Sequence, residues 1–359
     1  MNDDSIQTHQ EEATKGLLAR KVVSFAHNGA IARGKPGMGA GESKDWLDDD
    51  ERPTYETALG RLFVADSSKM LETAWGRDLR GKVNLIFTSP PFPLNKRKSY
   101  GNKAHDKYKE WLAGFSLLFK ELLAPDGSLV IELGNAWQSG EPVMSTLSIE
   151  ALLELKKRGD FYLCQEFIWN NPARLPSPAQ WVNIERIRVK DAFTRLWWLS
   201  PTTRPKASNR NVLQKYGKDM ERLLRRGKYN HGTRPSEHRI GEKSFLTRND
   251  GSIPSNVLTI SNTANIDPYL AYCQEHNIKS HPARMPPALV EFFIKMLTDE
   301  GDLVLDPFAG SNTTGYVAEQ QGRRWTSIEI IEEHARASKA RFDALKANTA
   351  VPASKLESF

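Results

Sequence analysis

Short apolar runs alternate along the chain with stretches in which apolar residues recur every three or four positions. The runs have the length of buried β-strands and are bounded by glycine, proline or charged residues. The stretches between them have the spacing of one helix face. The runs predict strands at 61–66, 83–88, 128–133, 161–170, 302–305 and 323–330. The amphipathic spacing predicts helices at 67–75, 108–123 and 286–298.

Alternating strands and helices are typical of an α/β fold with a mostly parallel sheet that helices cover on both faces, as in Rossmann-like domains. Ser67 or Ser68 is the expected N-cap of the first helix. The regular alternation is interrupted by a segment rich in arginine, asparagine, serine and proline. The predicted organisation is a flexible arm, a first α/β half, an inserted region, a second α/β half and a tail, at 1–55, 56–171, 172–256, 257–347 and 348–359.

Composition narrows the class of protein. The hydrophobic fraction is 39% and the charged fraction 26%, as in a soluble globular protein. We expect no membrane span, because no long apolar run occurs, and no secretory signal, because the N-terminus is polar and acidic. The cysteines, Cys164 and Cys273, are far apart, so we expect neither a disulfide framework nor a metal site. These features favour a reducing cytoplasm.

The positive charge is concentrated in one segment. The net charge is +6, and 18 lysines and arginines face 7 acidic residues between Pro172 and Asp250. A local excess of this kind is expected of a surface that binds nucleic acid phosphates. The alternative is a solvated loop without a partner.

A glycine-containing loop follows the apolar strand at 303–305. It spans Asp306 to Gly315 and has the sequence Asp-Pro-Phe-Ala-Gly-Ser-Asn-Thr-Thr-Gly, directly before an expected helix. A strand, a tight turn and a helix N-terminus form the usual site for a nucleotide-type cofactor. Gly310 allows close approach of the backbone, and the helix N-terminus favours an anionic group such as a carboxylate. The next strand ends at Glu329, which can accept hydrogen bonds from both hydroxyls of a ribose.

Two other nucleotide sites are disfavoured by the same loop. No Gly-Lys-Ser/Thr closes it, which excludes a P-loop, and no GxGxxG motif is present, which argues against a dinucleotide site. A plain strand-to-helix turn without a ligand stays open on this loop alone.

A second motif, Thr88-Ser89-Pro90-Pro91-Phe92, directly follows the strand at 83–88. The prolines stiffen the backbone and remove two N–H donors, leaving carbonyl groups as acceptors. Ser89 adds a hydroxyl at the carboxyl end of a strand, where open α/β sheets bind ligands, and Phe92 adds an aromatic face on which a base can stack. A simple Pro-Pro strand terminator is the alternative.

Together the two motifs resemble the catalytic and cofactor motifs of amino-group DNA methyltransferases. The catalytic motif comes first, the basic segment second and the cofactor motif last, which resembles the circularly permuted β class of that family. His281-Pro282-Ala283-Arg284-Met285-Pro286 resembles the segment before the cofactor motif, and Ile168-Trp169-Asn170-Asn171-Pro172 the strand before the target-recognition region. The resemblance covers roughly residues 60 to 340.

The resemblance implies an S-adenosylmethionine-dependent methyltransferase fold that acts on double-stranded DNA. The implied catalytic residues are Ser89, Pro90, Pro91 and Phe92. The implied cofactor-binding residues are Asp66, Asp306, Phe308, Ala309, Gly310, Ser311, Asn312, Thr313 and Glu329. Phe308 is expected against the adenine, and Asp306 either on the methionine amino group or on the loop's own N–H groups. Asp66 is either a cofactor contact or a helix cap.

In that family Ser-Pro-Pro usually accompanies methylation of N4 of cytosine, and Asp-Pro-Pro or Asn-Pro-Pro that of N6 of adenine. We therefore expect N4 of cytosine. Ser89 Oγ and the Pro90 carbonyl are expected to accept the amino hydrogens of a flipped base, and the proton is expected to leave late, to solvent. An adenine-N6 enzyme, an RNA methyltransferase and a non-catalytic DNA-binding regulator are the alternatives.

The basic segment is expected to hold the DNA. Arg204, Lys206, Asn209, Arg210 and Asn211 are the candidate DNA contacts, since arginine and asparagine suit base edges and phosphates. Residues 222–228 are expected to form a basic helix, and Trp197 and Trp198 to lie in the core. The resemblance also allows for a cognate restriction endonuclease that acts separately.

Overall fold

The computed structural model describes residues 52–91, 103–263 and 267–349. Within them the strands are β1 (Tyr55–Glu56), β2 (Gly60–Val64), β3 (Val83–Thr88), β4 (Leu123–Leu133), β5 (Tyr162–Asn170), β6 (Phe193–Ser200), β7 (Gly232–Thr233), β8 (Arg239–Ile240), β9 (Val257–Thr259), β10 (Leu303–Asp306) and β11 (Arg324–Glu329). The candidate residue Phe92, residues 1–51 of the expected arm and residues 350–359 of the expected tail lie outside the described residues.

The helices of the described residues lie between these strands. They are α1 (Ser67–Met70), α2 (Ala74–Asp78), α3 (Lys103–Gly114), α4 (Ser116–Leu122), α5 (Leu147–Gly159), α6 (Lys218–Arg226), α7 (Pro268–Glu275), α8 (Pro287–Leu297), α9 (Thr313–Gln320) and α10 (Glu332–Thr349). A π-helical turn, Gln180–Ile184, and a 3-10 turn, Asn209–Val212, complete the list.

Among the described residues, nine strands form one sheet in the order β1-β2-β11-β10-β3-β4-β6-β5-β9. Most neighbours run parallel; the exceptions are β1 beside β2, and β6 beside both β4 and β5. The chain order reverses between β10 and β3, which pair in parallel through Val304 with Leu85 and Leu305 with Ile86. Open α/β sheets bind their ligands at such a switch point, beyond the carboxyl ends of the strands.

Two apolar layers cover the sheet, which explains why the central strands are apolar on both faces. On one face Ile86 packs in a core with residues of α3, α4 and α5, such as Leu112 and Phe119. On the other face Leu85 and Phe87 pack in a core with residues of α8, α9 and α10. The mostly parallel, doubly covered sheet expected from the sequence is confirmed.

The ends of two predicted elements were wrong. The N-cap of α1 is Asp66, whose carboxylate accepts a hydrogen bond from the Ser68 amide at 2.9 Å, and neither Ser67 nor Ser68 caps the helix. Tyr55 does not belong to a flexible arm, because it is buried and its hydroxyl hydrogen-bonds to Ser338 at 2.7 Å. The folded domain therefore begins before residue 56.

The predicted insert, 172–256, is interrupted by a strand of the main sheet. β6 pairs with β4 and β5, and Trp197 and Trp198 are buried in it as expected. The basic region is thus split into a catalytic-edge loop, residues 171–192, between β5 and β6, and an outer segment, residues 201–256, between β6 and β9. Because β6 runs antiparallel to β4, the catalytic-edge loop leaves the sheet at the carboxyl end of β4, and the outer segment leaves it at the amino end of β4.

Within the ranges that the structure describes, no helix is both long enough and apolar enough to cross a membrane.

Candidate active site

The two motifs of the sequence lie side by side at one edge of the sheet. Ser89 follows β3, and the glycine loop follows β10, its neighbour. The Thr88 hydroxyl donates a hydrogen bond of 2.8 Å to Asp306 Oδ1, between the last residues of the two strands. The predicted catalytic and cofactor residues are therefore brought together by the pairing of β3 with β10.

Asp306 stabilises the glycine loop from inside. Besides Thr88, its carboxylate accepts hydrogen bonds from the Phe308 amide at 3.1 Å and the Thr314 hydroxyl at 2.6 Å. Burial raises the pKa of Asp306 to about 6, against the lowering effect of these donors. Of the two expected roles for Asp306, the geometry matches the one that caps the loop.

The glycine loop turns through two residues with positive φ, Gly310 (54°) and Asn312 (51°). Asn312 is fully buried, and its Oδ1 accepts hydrogen bonds from the Gly315 amide and the Ser327 hydroxyl while its amide donates to Tyr55. Its side chain is thus committed to starting α9, so that Asn312 shapes the loop instead of facing a ligand. Ala309, Ser311 and Thr313 lie in the same buried turn.

Glu329 ends β11 beside this turn. Its carboxylate accepts hydrogen bonds from the Gly310 amide at 2.6 Å and the Ile331 amide at 2.9 Å. An acid held against the glycine loop at the end of the neighbouring strand is in the position expected for the ribose-binding carboxylate. Asp66 follows β2, the next strand of the sheet, where it caps α1.

Several buried polar atoms around Gly310 have no hydrogen-bond partner within the described residues. They are the Nδ1 atoms of His281 and His334 and Nε of Arg341. The two rings meet edge to face with centroids 5.0 Å apart, and a Cβ on Gly310 would lie 3.1 Å from the His281 ring. Burial, with the neighbouring His334, lowers the pKa of His281 to about 4, so the ring is neutral at neutral pH.

These orphaned atoms fit the polar end of the expected cofactor. Buried polar groups normally have partners, and an orphan beside a glycine turn indicates a site for a ligand that supplies them. Arg341 Nη2 lies 3.4 Å from Ser311 Oγ and 2.9 Å from Asp267 Oδ2, which places a cation at the same turn. His281, His334 and Arg341 therefore suit the amino and carboxylate groups of an amino acid moiety.

The Phe308 ring packs against the aromatic residues of α3. Its centroid lies 5.5 Å from that of Trp111 and 5.3 Å from that of Phe115. This contact fixes the ring at the mouth of the loop, with part of its surface still accessible. The expected contact with an adenine stays a prediction.

Ser89 has a partner that the sequence did not reveal. Its hydroxyl donates a hydrogen bond to Glu132, which lies near the carboxyl end of the neighbouring strand β4. Burial raises the pKa of Glu132, and the Ser89 hydrogen bond and the nearby Arg174 cation only partly offset this effect. Pro90 is buried and Pro91 exposed at the same edge.

The catalytic-edge loop lies over this edge. Asn135, just after β4, donates hydrogen bonds of 3.0 Å to Asp191 Oδ1 and to the Phe193 carbonyl. Arg174 donates to the Phe193 carbonyl at 2.9 Å, and its positive charge lowers the pKa of Glu132. The loop therefore forms one wall beside Ser89.

The candidate DNA contacts in the outer segment lie away from Ser89, and their contact with DNA stays a prediction. Lys206 pairs with Asp299 at 3.1 Å and Asp302 at 2.9 Å, before the start of β10, so it lies at the edge opposite Ser89. Asn211 donates to the Lys295 carbonyl near the end of α8. The whole cluster occupies this far side of the sheet: Arg204, Lys206, Asn209, Arg210 and Asn211.

The sequence contains one usable sign of the missed partner of Ser89. Glu132 interrupts the apolar run of β4, and an acid inside a buried strand requires a partner or a function. Arg174, His334 and Arg341 carry no such local sign, because only the fold brings them to the site.

Comparison with known proteins places the chain among DNA-modifying enzymes. The family model described as DNA methylase matches residues 83–340. Type II methyltransferase M.PvuII of Proteus hauseri is 43% identical over 302 residues, which cover 84% of this chain and 88% of the relative. Type II methyltransferase M2.LlaDCHI of Lactococcus lactis subsp. cremoris is 31% identical over 312 residues, which cover 81% and 92%.

Solved structures agree with this result. PvuII DNA methyltransferase, described as cytosine-N4-specific, matches with a TM-score of 0.66 and 38% identity over 82% of this chain and 90% of its own. A Thermus thermophilus protein in complex with S-adenosyl-L-methionine matches with a TM-score of 0.51 and 20% identity over 80% and 94%, a likeness of fold.

Proposed function

This chain belongs to the DNA methylase family, and on that premise we propose that it transfers a methyl group from S-adenosylmethionine to N4 of cytosine in duplex DNA. The observation that carries the proposal is the position of the Ser89 hydroxyl beside the glycine loop, at the ends of the paired strands β3 and β10. A target amino group and a cofactor can meet at this edge of the sheet.

Two observations favour cytosine N4 over the other amino groups. The relative and the solved structure with the name PvuII are 43% and 38% identical to this chain over the aligned residues, and the structure is described as cytosine-N4-specific. The catalytic motif begins with serine, which usually accompanies that specificity in the family. Adenine N6 is the competing product.

We assign the cofactor to the glycine loop and the buried polar groups around it. Glu329 would accept hydrogen bonds from the ribose, and Ser311, His281 and Arg341 would bind the amino acid end. The bound cofactor supplies an electrophilic methyl group on a sulfonium centre. A side chain at position 310 would meet the His281 ring. Glycine avoids this contact, and its lack of a side chain lets the backbone approach the ligand.

Ser89 and Pro90 orient the target amino group. The amino nitrogen is a weak nucleophile, because its lone pair is delocalised into the ring of the base. A serine hydroxyl has one donor and two acceptor positions, and Glu132 takes the donor, so Oγ presents lone pairs to the amino hydrogens. With the Pro90 carbonyl as second acceptor, the nitrogen lone pair is localised and turned towards the methyl group. Holding the two reacting groups close together supplies much of the rate acceleration.

Glu132 takes the proton that the methylated nitrogen must lose. The Ser89 hydroxyl proton passes to the carboxylate while Oγ accepts a proton from the nitrogen, so the serine ends unchanged. The raised pKa of Glu132 makes it a better proton acceptor than an exposed glutamate. We propose this route as an alternative to the direct loss to solvent expected from the sequence.

The relatives' designation as type II methyltransferases suggests a setting for the enzyme. We propose that it protects DNA against a separate cognate endonuclease, which would be blocked at methylated sites. Cleavage of unmodified but not of modified DNA by such an enzyme is the expected result.

The decisive experiment uses methyl-labelled S-adenosylmethionine, genomic DNA lacking such modification, and digestion of the product to nucleosides for mass spectrometry. N4-methylcytosine in the wild-type reaction, and none with Ser89→Ala, is the expected result. N6-methyladenine would replace the proposed base, and the absence of any transfer would favour the non-catalytic regulator. Sequencing of modified bases in the same DNA gives the site.

A further inference from the structure

The catalytic-edge loop exposes large apolar side chains at the carboxyl ends of the strands, where Ser89 also lies. Ile184 is 69% exposed and Val189 is 86% exposed, and Ile187 between them is also exposed. Single exposed apolar residues are ordinary, but several within seven positions at the rim of an active site indicate a contact with a partner. We call residues 184–190 the apolar-basic tip.

The tip is held in place by the protein around it. The amides of Ile187 and Arg188 donate to the Trp181 carbonyl at 2.9 and 3.1 Å. The Arg188 guanidinium donates to the Pro142 carbonyl at 2.8 Å, and the Trp181 ring packs on Trp137 with centroids 5.3 Å apart. The exposed side chains are therefore presented by an ordered scaffold, as a preorganised contact requires.

The tip and Ser89 both lie at the carboxyl ends of the parallel strands. Asp191, directly after it, accepts a hydrogen bond from Asn135 at the end of β4. Arg174, earlier in the loop, acts on Glu132, which binds Ser89. A duplex that places its target base at Ser89 would therefore approach the end of the sheet from which the tip projects.

The charges of the tip fit a nucleic acid. Arg186, Arg188 and Lys190 alternate with the apolar side chains, and Glu185 is the single acid between 184 and 190. Cations attract the phosphate backbone, and apolar side chains of this size insert between base pairs in proteins that distort DNA.

From this geometry we propose that the tip enters the duplex and occupies the space that the flipped target base leaves. Ile184 and Val189 pack against the unstacked neighbours, while Arg186 contacts phosphates. Flipping a base costs stacking and pairing energy, and a side chain that replaces the lost stacking lowers this cost. The inference rests on the proposed function, because it requires a base in DNA as the substrate.

A second copy of the chain is the other occupant that an apolar surface could receive. Two-fold association would bring the cations of one tip near those of the other, which is unfavourable. The DNA backbone, in contrast, complements them.

The test compares two duplexes that contain the site identified by sequencing. One is fully paired, and in the other the base opposite the target is replaced by an abasic position, so that less energy is needed to flip the target. The test variant carries Ile184→Ser with Val189→Ser, and a conservative variant carries Ile184→Val with Val189→Ile. Leu117→Ser is the matched control, because Leu117 is 61% exposed on α4, away from the tip.

We expect the serine variant to lose about tenfold in kcat/KM on the paired duplex and to recover to within about twofold of the wild type on the abasic duplex. The conservative variant and Leu117→Ser should match the wild type on both. An equal loss on both duplexes, or no loss, would overturn the inference. So would a wild-type dimer that the serine variant converts to monomers in sedimentation. A wild type that methylates neither duplex contradicts the proposed function itself.

Discussion

Ser89 donates its hydroxyl hydrogen to Glu132 across the neighbouring ends of β3 and β4. This bond gives the serine a fixed orientation and connects it to a carboxylate with a raised pKa. The catalytic motif is therefore one half of a pair whose other half stands more than forty positions away in the chain.

The first prediction concerns the charge of Glu132. Glu132→Gln keeps an acceptor for Ser89 but cannot take a proton, so single-turnover methyl transfer should fall by about two orders of magnitude. In the wild type the rate should drop as the pH falls through the pKa of Glu132, because the carboxylate is the active form. That drop should begin at higher pH than for an ordinary glutamate and be absent from the variant.

Rates of single-turnover transfer as a function of pH provide the measurement. Glu154→Gln on α5, where Glu154 is partly exposed and pairs with Arg158, is the control and should keep both rate and profile. If the drop in rate at low pH persists in Glu132→Gln, a group other than Glu132 causes it.

The second prediction concerns cofactor affinity. Glu329→Ala removes the expected ribose acceptor and the partner of the Gly310 amide, so the Kd for S-adenosylmethionine should rise at least about tenfold. Titration calorimetry measures it. Glu333→Ala, an exposed acid in the first turn of α10, should leave the Kd unchanged. An unchanged affinity in Glu329→Ala would remove this residue from the site.

The third prediction concerns stability and Asp306. Its pKa is raised from 3.8 to about 6, so its contribution to the free energy of unfolding is fully present below about pH 3.8 and is lost as the pH rises through about 6. The asparagine side chain in Asp306→Asn does not titrate, so its contribution to the free energy of unfolding does not change with pH. The free energy of unfolding of the variant should therefore gain roughly 3 kcal/mol on that of the wild type between those pH values.

Urea unfolding of both proteins at several pH values checks this result. Two curves that run parallel with pH would show that the carboxyl does not titrate there.

The fourth prediction separates the two basic regions. Lys206→Met should leave the Kd for DNA and its salt dependence unchanged, because Lys206 pairs with Asp299 and Asp302 at the far edge. Its cost should be below about 1 kcal/mol of stability, since the pair is partly solvated. Arg186→Ala should reduce the slope of log K against log salt by about one. Fluorescence anisotropy at several salt concentrations measures both, and the reverse ranking would assign the DNA contact to the cluster at 204–211.

Strands with continuous apolar sequence were predictable. β3 was predicted with its observed bounds, and the predicted strand 323–330 differs from β11 by one residue at each end. Such strands are buried on both faces, so their sequences need no partner to be interpreted. The glycine loop was equally clear, because its turn restricts which residues fit.

The direction of a strand was not predictable from local sequence. β6 looks like any apolar run, yet it runs antiparallel, and that reversal decides that Lys206 lies far from Ser89. The roles of Glu132 and Arg341 were not predictable either, because their partners Ser89 and Asp267 come from distant parts of the chain. The sequence thus identified the motifs but not the groups around them.

The hydrogen bond between Thr88 and Asp306 joins positions 218 residues apart. A chain emerging from the ribosome at about 5–20 residues per second completes Ser89 roughly 10 to 40 seconds before its glycine loop exists. Until β10 pairs with β3, a nascent or prematurely ended chain has a serine with no cofactor site next to it. We therefore expect chains that end before β10 to transfer no methyl group to DNA, because they contain Ser89 without the glycine loop.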